Sequence, residues 1–233
     1  MLIQKKYPLV LIGASGFAEI AIEYFRQDSP YEVVACAVEK KFITAPVIGG
    51  VPVVAFEDLE ELYPPQTHHA HVAITFLQLN RVRARLFAET KTKGYTMASY
   101  ISSRAFVWPN VELGEHVFIL EDNTIQPFVR IGDDVVIWSG NHIGHHSTIE
   151  DHCFLSSHVV ISGGCLIGAH SFLGVNSSVA HGVKIATDNF IGMNASIAKN
   201  TEENSVYMPK NFAEKRDITA ERYCKFSRTE TGT

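Results

Sequence analysis

The sequence predicts an α+β protein of two domains, a small N-terminal α/β domain followed by a parallel β-helix. Three observations carry that prediction. Apolar residues recur at every sixth position through the middle of the chain, and strand-like and helix-like segments alternate before it. No apolar run approaches the ~18–20 residues that a membrane span needs. The 233 residues leave room for one or two cores, and 46% hydrophobic against 19% charged content excludes a disordered chain. The expected divisions are an α/β domain over 1–97, a β-helix over 98–202 and a tail over 203–233.

The N-terminal elements follow in order. Lys5 and Lys6 before an apolar stretch from Pro8 have the outline of a signal peptide, but Gly13 and Gly16 interrupt the stretch and Glu19 and Glu23 follow at once. Strand, turn and helix are therefore expected: Leu9 to Ile12, Gly13 to Gly16, then Phe17 to Arg26. Further strands are expected at Val33 to Val38, Val51 to Val54 and His71 to Ile74. Helices are expected near Glu57 to Leu62 and, basic and amphipathic, around Arg81 to Lys93. Strands alternating with helices predict a mostly parallel sheet.

From Ile101 to Ile197, every sixth residue is Leu, Ile or Val, seventeen times without a slip. Those three residues make up 55 of 233, so chance gives such a run on the order of once in 10¹⁰ trials. Six is a multiple of the strand period of two and not of 3.6, so the marked residues face one interior only in a strand-based fold. Each hexapeptide supplies a short strand and a corner, and three close a triangular coil of eighteen residues. Ile101, Ile119, Ile137, Leu155, Leu173 and Ile191 then form one interior ladder. Four residues on, small or modest side chains such as Ser147, Cys153, Cys165 and Ser171 suit the corners. Stability is shared between coils, because no single coil buries its apolar row. After the repeat, a loop and a short helix near Ala213 to Phe226 are expected.

Charge narrows the function. Residues 101–201 carry four basic and nine acidic groups, a poor surface for nucleic acid. Cys36, Cys153, Cys165 and Cys224 contain no CxxC pair, which suits reduced thiols in a cytoplasmic protein. Gly13-Ala14-Ser15-Gly16 lies after a strand and before a helix, where backbone N–H groups and the helix N-terminus favour a phosphate, as in a Rossmann-like domain. It falls short of a full GxGxxG, which gives little support to an NAD site, and a tight turn without a ligand is the alternative reading.

Eight of the eleven histidines fall between 101 and 201. His116, His152 and His170 share one corner position and read as solvated turn residues. His145 has different neighbours: the residues at +18, +36 and +54 are Gly163, His181 and Lys199. That column offers a base, a bare backbone N–H, a second imidazole and a cation along one outer edge.

These features together resemble the bacterial nucleotide-sugar acyltransferases grouped with sialic-acid O-acetyltransferases and the bacillosamine-pathway N-acetyltransferase. The likeness spans nearly the whole chain. It implies a left-handed parallel β-helix, a handedness that the period itself does not show. In that family a histidine in an Ile-x-His rung acts as general base, and Ile143-Gly144-His145 matches it. A backbone N–H one coil on holds the acyl carbonyl, where Gly163 falls, and Gly163, His181 and Lys199 are expected to bind the acyl-CoA. The N-terminal turn holds the nucleotide sugar, here Gly13, Ala14, Ser15 and Gly16, with Glu39 as the acidic residue ending the second strand. Three positions depart from the family pattern. His146 stands where a carboxylate often follows the catalytic histidine, Phe17 where the glycine turn usually carries histidine, and Met208-Pro209-Lys210 in place of Gly-x-Pro-Ala.

The resemblance implies transfer of an acyl group from acyl-CoA, expected to be acetyl-CoA, to the amino group of a nucleotide-linked amino sugar. Attack is direct with a histidine base, since imidazoles titrate close to neutrality. Cys153 and Cys165, at inward corners, are expected to be inert. The assembly implied is a homotrimer with acyl-CoA in grooves between subunits, cytoplasmic, without metal, nucleic acid or membrane, serving cell-surface polysaccharide synthesis. The alternatives are O-acylation of a sugar hydroxyl, a zinc β-helix hydratase using His142, His145, His146 and His181, and a non-catalytic nucleotide-sugar-binding protein.

Overall fold

The computed structural model describes residues 4–210, 215, 217–220 and 222. The short helix expected around Ala213 to Phe226 lies for the most part outside the described residues. In chain order the N-terminal elements are β1 (Tyr7–Ile12), α1 (Gly16–Gln27), β2 (Tyr31–Val38), β3 (Val47–Ile48), β4 (Val51–Ala55), α2 (Leu59–Leu62), β5 (His69–Val72), α3 (Arg81–Thr92) and β6 (Thr96–Met97). They form a mixed sheet of order β3-β4-β2-β1-β5-β6, in which only the β3–β4 pair is antiparallel. Leu9, Val10, Leu11 and Ile12 are all buried, as a central strand covered on both faces requires. The two-residue strands β3 and β6 are too short to carry a period, which is why pattern reading passes over them. No described helix is long and apolar enough to cross a membrane.

From Tyr100 onward, two-residue strands stack into three parallel sheets whose register advances by eighteen residues. Ile101, Ile119, Ile137, Leu155, Leu173 and Ile191 are successive partners, as the period predicts. Ile119 through Ile191 are fully buried, and each contributes about 1.5–3 kcal/mol by leaving water. Ile101 is 40% exposed, because the first coil has a neighbour on one side only. Val206–Tyr207 pairs with Phe190–Ile191, adding a strand beyond residue 202. At inward corners, Asn123 accepts from the Asn141 N–H and Asn141 from the Val159 N–H, so these two inward amides are bonded. The arrangement is consistent with a left-handed β-helix of hexapeptide repeats.

The outer faces differ, and that decides where the N-terminal domain sits. One sheet turns Tyr100, Phe118, Val136, Phe154, Phe172 and Phe190 outward, whereas another shows a mixed row of Phe106, Thr124, His142, Val160, Ser178 and Ser196. The N-terminal domain covers the aromatic face. Phe17 stacks on Trp138 at 5.9 Å, Phe25 meets Phe118 at 5.9 Å, and Phe76 meets Phe172 at 4.4 Å.

The corner beside that face corrects one expectation. His116 is a buried turn residue and not a solvated one, and His152 and His170 are half-buried. His116 is 1% exposed, accepts the Val72 N–H at Nε2 (2.7 Å) and bonds Asp134 at 2.8 Å. His152 bonds the other oxygen of Asp134 at 2.8 Å, and His170 stacks on His152 at 4.7 Å. Arg83, on the basic helix α3, is fully buried and donates to Asp134 Oδ1 at 2.9 Å, Asn80 Oδ1 at 3.0 Å and the His152 carbonyl at 3.0 Å. Burial alone pushes the Asp134 carboxyl up. The Arg83 guanidinium and the hydrogen bonds from His116 and His152 outweigh it and hold the group well below the usual carboxylate range. The sequence column was right, but the repeat alone did not show which element would cover this corner.

Candidate active site

His145 lies on a different edge, away from the N-terminal domain. It follows the strand His142–Ile143, whose Ile143 is fully buried, and this anchors the corner while leaving the imidazole exposed. Its N–H donates to Gln126 Oε1 at 2.9 Å. The ring lies over Gly163: a Cβ built there would come within 2.6 Å of both Cε1 and Nε2 of His145. Only glycine leaves room for that ring. At equivalent corners the N–H groups of Glu115, Asp133 and Ala169 are taken by side-chain carboxylates. Among the described residues, none accepts from the Gly163 N–H. One coil further, the His181 ring stands 6.3 Å from the His145 ring. Lys199 is exposed above it in the same column, since Ser178 and Val179 pair with Ser196 and Ile197. The column expected from the sequence is thus assembled.

His146 bonds His145, Nδ1 to Nδ1, at 3.1 Å and stacks on Phe128 at 4.6 Å. Sequence reading missed Gln126 and Phe128, which the same eighteen-residue arithmetic places one coil below Gly144 and His146.

The glycine turn borders a second feature, a cavity of about 600 Å³ lined by Gly13, Ala14, Ser15, Glu39, Lys41 and Arg85 among others. Gly13 has φ +140°, and a Cβ there would sit 2.5 Å from the Ala73 carbonyl oxygen, so the turn requires glycine. Gly16 lies outside the lining, as the first residue of α1. Ser15 at the helix N-cap makes no side-chain capping bond. Glu39 pairs with Arg85 at 3.0 Å and Lys41 at 3.6 Å. Both cations were missed, although Lys41 is two residues from Glu39. Gln78, on the cavity wall, begins three successive residues with φ between 50° and 65°, and Asn80 anchors them by donating to the His170 carbonyl at 2.9 Å. The cavity residues and the His145 cluster are two separate sets within one chain.

Among the described residues, the thiols of Cys36, Cys153 and Cys165 belong to neither set. Burial pushes Cys153 and Cys36 up to about 12 and also raises Cys165, which leaves them protonated and inert at neutral pH. Among the described residues, no group of three or more His, Cys, Asp or Glu side chains is placed to hold a metal ion.

With that geometry in hand, likeness to known proteins is informative. A family model described as bacterial transferase hexapeptide (six repeats) matches residues 128–163. A crystal structure of perosamine N-acetyltransferase from Caulobacter crescentus, a histidine-to-asparagine variant in complex with CoA and GDP-perosamine, superposes with TM-score 0.77 at 27% identity, covering 85% of this chain and 92% of that one. The chain resembles nucleotide-sugar acyltransferases. The matched hexapeptide stretch runs from Phe128, beneath His146, to Gly163, beneath the His145 ring. Two further structures share the acyltransferase-like fold. The acetyltransferase domain of PglB from Neisseria gonorrhoeae FA1090 is 18% identical with TM-score 0.74, covering 86% of this chain and 96% of that one. WeeI from Acinetobacter baumannii AYE is 17% identical with TM-score 0.62 over the same shares, 86% and 96%. By sequence, no curated protein matches the chain.

Proposed function

We propose that this protein transfers an acetyl group from acetyl-CoA to the amino group of a nucleotide-linked amino sugar, with His145 as general base. The observation that carries the reading is the His145 ring lying against Gly163, whose N–H has no acceptor among the described residues. It stands in a fold similar to structures holding CoA and GDP-perosamine. An amine attacks a thioester only as its neutral form, so a base that removes its proton during attack lowers the barrier. The carbonyl oxygen gains charge in the tetrahedral intermediate, and the fixed Gly163 N–H stabilises it. His181 and Lys199, further along the column, hold the acyl-CoA.

The cavity beside the glycine turn takes the nucleotide sugar in this Rossmann-like domain. The α1 N-terminus at Ser15 favours the phosphates, and Lys41 and Arg85 add positive charge nearby. Glu39 accepts hydrogen bonds from sugar hydroxyls or the base. Because cavity and base are separate sets in one chain, a homotrimer completes the site, with one subunit's cavity facing the next subunit's His145 and acyl-CoA in the groove between them. Use of acetyl-CoA and a nucleotide sugar places the reaction in the cytoplasm.

The test is an assay of CoA thiol release with acetyl-CoA and paired nucleotide sugars that differ only in amino against hydroxyl at one carbon. Release confined to the amino sugars, with a product stable to hydroxylamine as an amide is, supports the reading. Release with hydroxyl sugars alone, giving a hydroxylamine-labile ester, overturns it in favour of O-transfer.

A further inference from the structure

We propose that His146 is a positioning and proton-accepting partner of His145, so that the base of this site is an imidazole pair. The proposal rests on the acyl-transfer reading above and deepens it. The two Nδ1 atoms are 3.1 Å apart, within reach of a hydrogen bond. One nitrogen must then donate and the other accept. A base that takes a proton at Nε2 keeps its lone pair there, so neutral His145 carries its proton on Nδ1 and is the donor. His146 Nδ1 is the acceptor, and neutral His146 carries its own proton on Nε2.

The surroundings hold both rings to this arrangement. His146 adopts φ +58°, its N–H donates to the Pro127 carbonyl at 3.2 Å, and its ring stacks on Phe128 with planes 30° apart. Phe128 is 57% exposed, an unfavourable place for a phenyl ring that the stacking explains. On the His145 side, Gln126 takes the backbone N–H and Gly163 lies under the ring. His181, at 6.3 Å, is the other titratable ring facing the pair among the described residues.

An imidazole acceptor does what a carboxylate does not, because it has a second nitrogen that can exchange a proton with water. As the C–N bond forms, the amine proton passes to His145 Nε2. The Nδ1 proton of His145 passes to His146 Nδ1, and the Nε2 proton of His146 passes to water. When the C–S bond breaks, His145 gives its Nε2 proton to the departing thiolate. His146 returns the Nδ1 proton, and water restores the proton on His146 Nε2. The net change is amine and thioester to amide and thiol, with protons balanced.

The primary test needs no substrate. Spectra of the ¹⁵N-histidine-labelled full chain, with His145 assigned by its loss in His145→Asn, report the tautomer directly. His145 as the Nδ1–H tautomer, lost in His146→Phe, supports the pair; an Nε2–H tautomer, or no change in His146→Phe, overturns it. A kinetic arm tests its use. His146→Phe keeps a ring on Phe128 but offers no acceptor, and kcat should fall about 10- to 100-fold with Michaelis constants moving far less. His146→Gln, with an amide oxygen as acceptor, should recover much of that loss. His146→Glu should move the acid limb of the pH–rate profile upward, because a carboxylate stabilises the imidazolium. If His145→Asn abolishes transfer while His146→Phe stays within about threefold of the parent with an unmoved acid limb, the pair fails and the base assignment stands. If His145→Asn leaves transfer intact, the base assignment itself fails.

Discussion

His116, His152 and His170 line one corner of the prism, and His145, His146 and His181 line another. Both columns follow the same repeat, and His116, His146, His152 and His170 share one left-handed turn conformation, with φ between 56° and 61°. What separates the columns is cover. Helix α3 closes over the first, where Arg83 and Asp134 bind His116 and His152 into a network that joins the two parts of the chain, and His170 stacks on His152. The second column stays open, with Gly163 leaving space for the His145 ring. A histidine on a repeat corner is thus held in a bonded network or left open to solvent according to what packs against it, and on the proposed acyl-transfer reading the open corner carries the chemistry.

The largest expected effect is at the closed corner. Asp134→Asn leaves the Arg83 guanidinium buried without a counter-charge and should cost about 3–5 kcal/mol, read as a lower urea midpoint. Loss below ~1 kcal/mol would mean that water reaches the corner. At the open corner, Gly163→Ala should do the reverse. Its Cβ would displace the exposed His145 ring, lowering kcat by about tenfold or more while the urea midpoint moves by little. An unchanged kcat would break the link between that glycine and the base.

The smallest effect is a pH slope. Burial, with the Arg81 and His152 charges, pushes His170 down to about 4. Unfolded histidine titrates near ~6.5, so between these values the unfolded chain binds the extra proton. Stability is therefore full above ~6.5 and falls as pH drops toward about 4. Asp134 acts in the same direction at lower pH, since its depressed carboxyl stabilises the fold above ~4 and stops doing so as it protonates. His170→Gln should flatten the drop in melting temperature between about pH 7 and 5. An equal drop in the variant would place the titration elsewhere.

Much of this comparison was legible in the sequence. The interior ladder, the His145–Gly163–His181–Lys199 column and the Gly13 turn follow from a period of six and a strand-turn-helix pattern. The closed corner was not, because Arg83 reads as one more cation on an exposed basic helix and its burial depends on a contact 51 residues away. A signal was nevertheless present: the outward positions Tyr100, Phe118, Phe154, Phe172 and Phe190 are aromatic at multiples of eighteen, which marks a face that needs cover. The Glu39–Arg85 contact at the cavity was hidden for the same reason, since Arg85 reaches Glu39 across 46 residues. Local pattern gives columns and faces, while long-range docking decides which of them water sees.

The most direct test of the open corner is the steady-state rate of His145→Asn with an amino-sugar nucleotide and acetyl-CoA. The substitution keeps size and some hydrogen bonding and removes the base, so kcat should fall about 10²–10⁴-fold, or roughly 3–5 kcal/mol of barrier. The urea midpoint should be unchanged, because the ring is exposed. A variant within about threefold of the parent would contradict the account, since general-base loss costs at least ~100-fold.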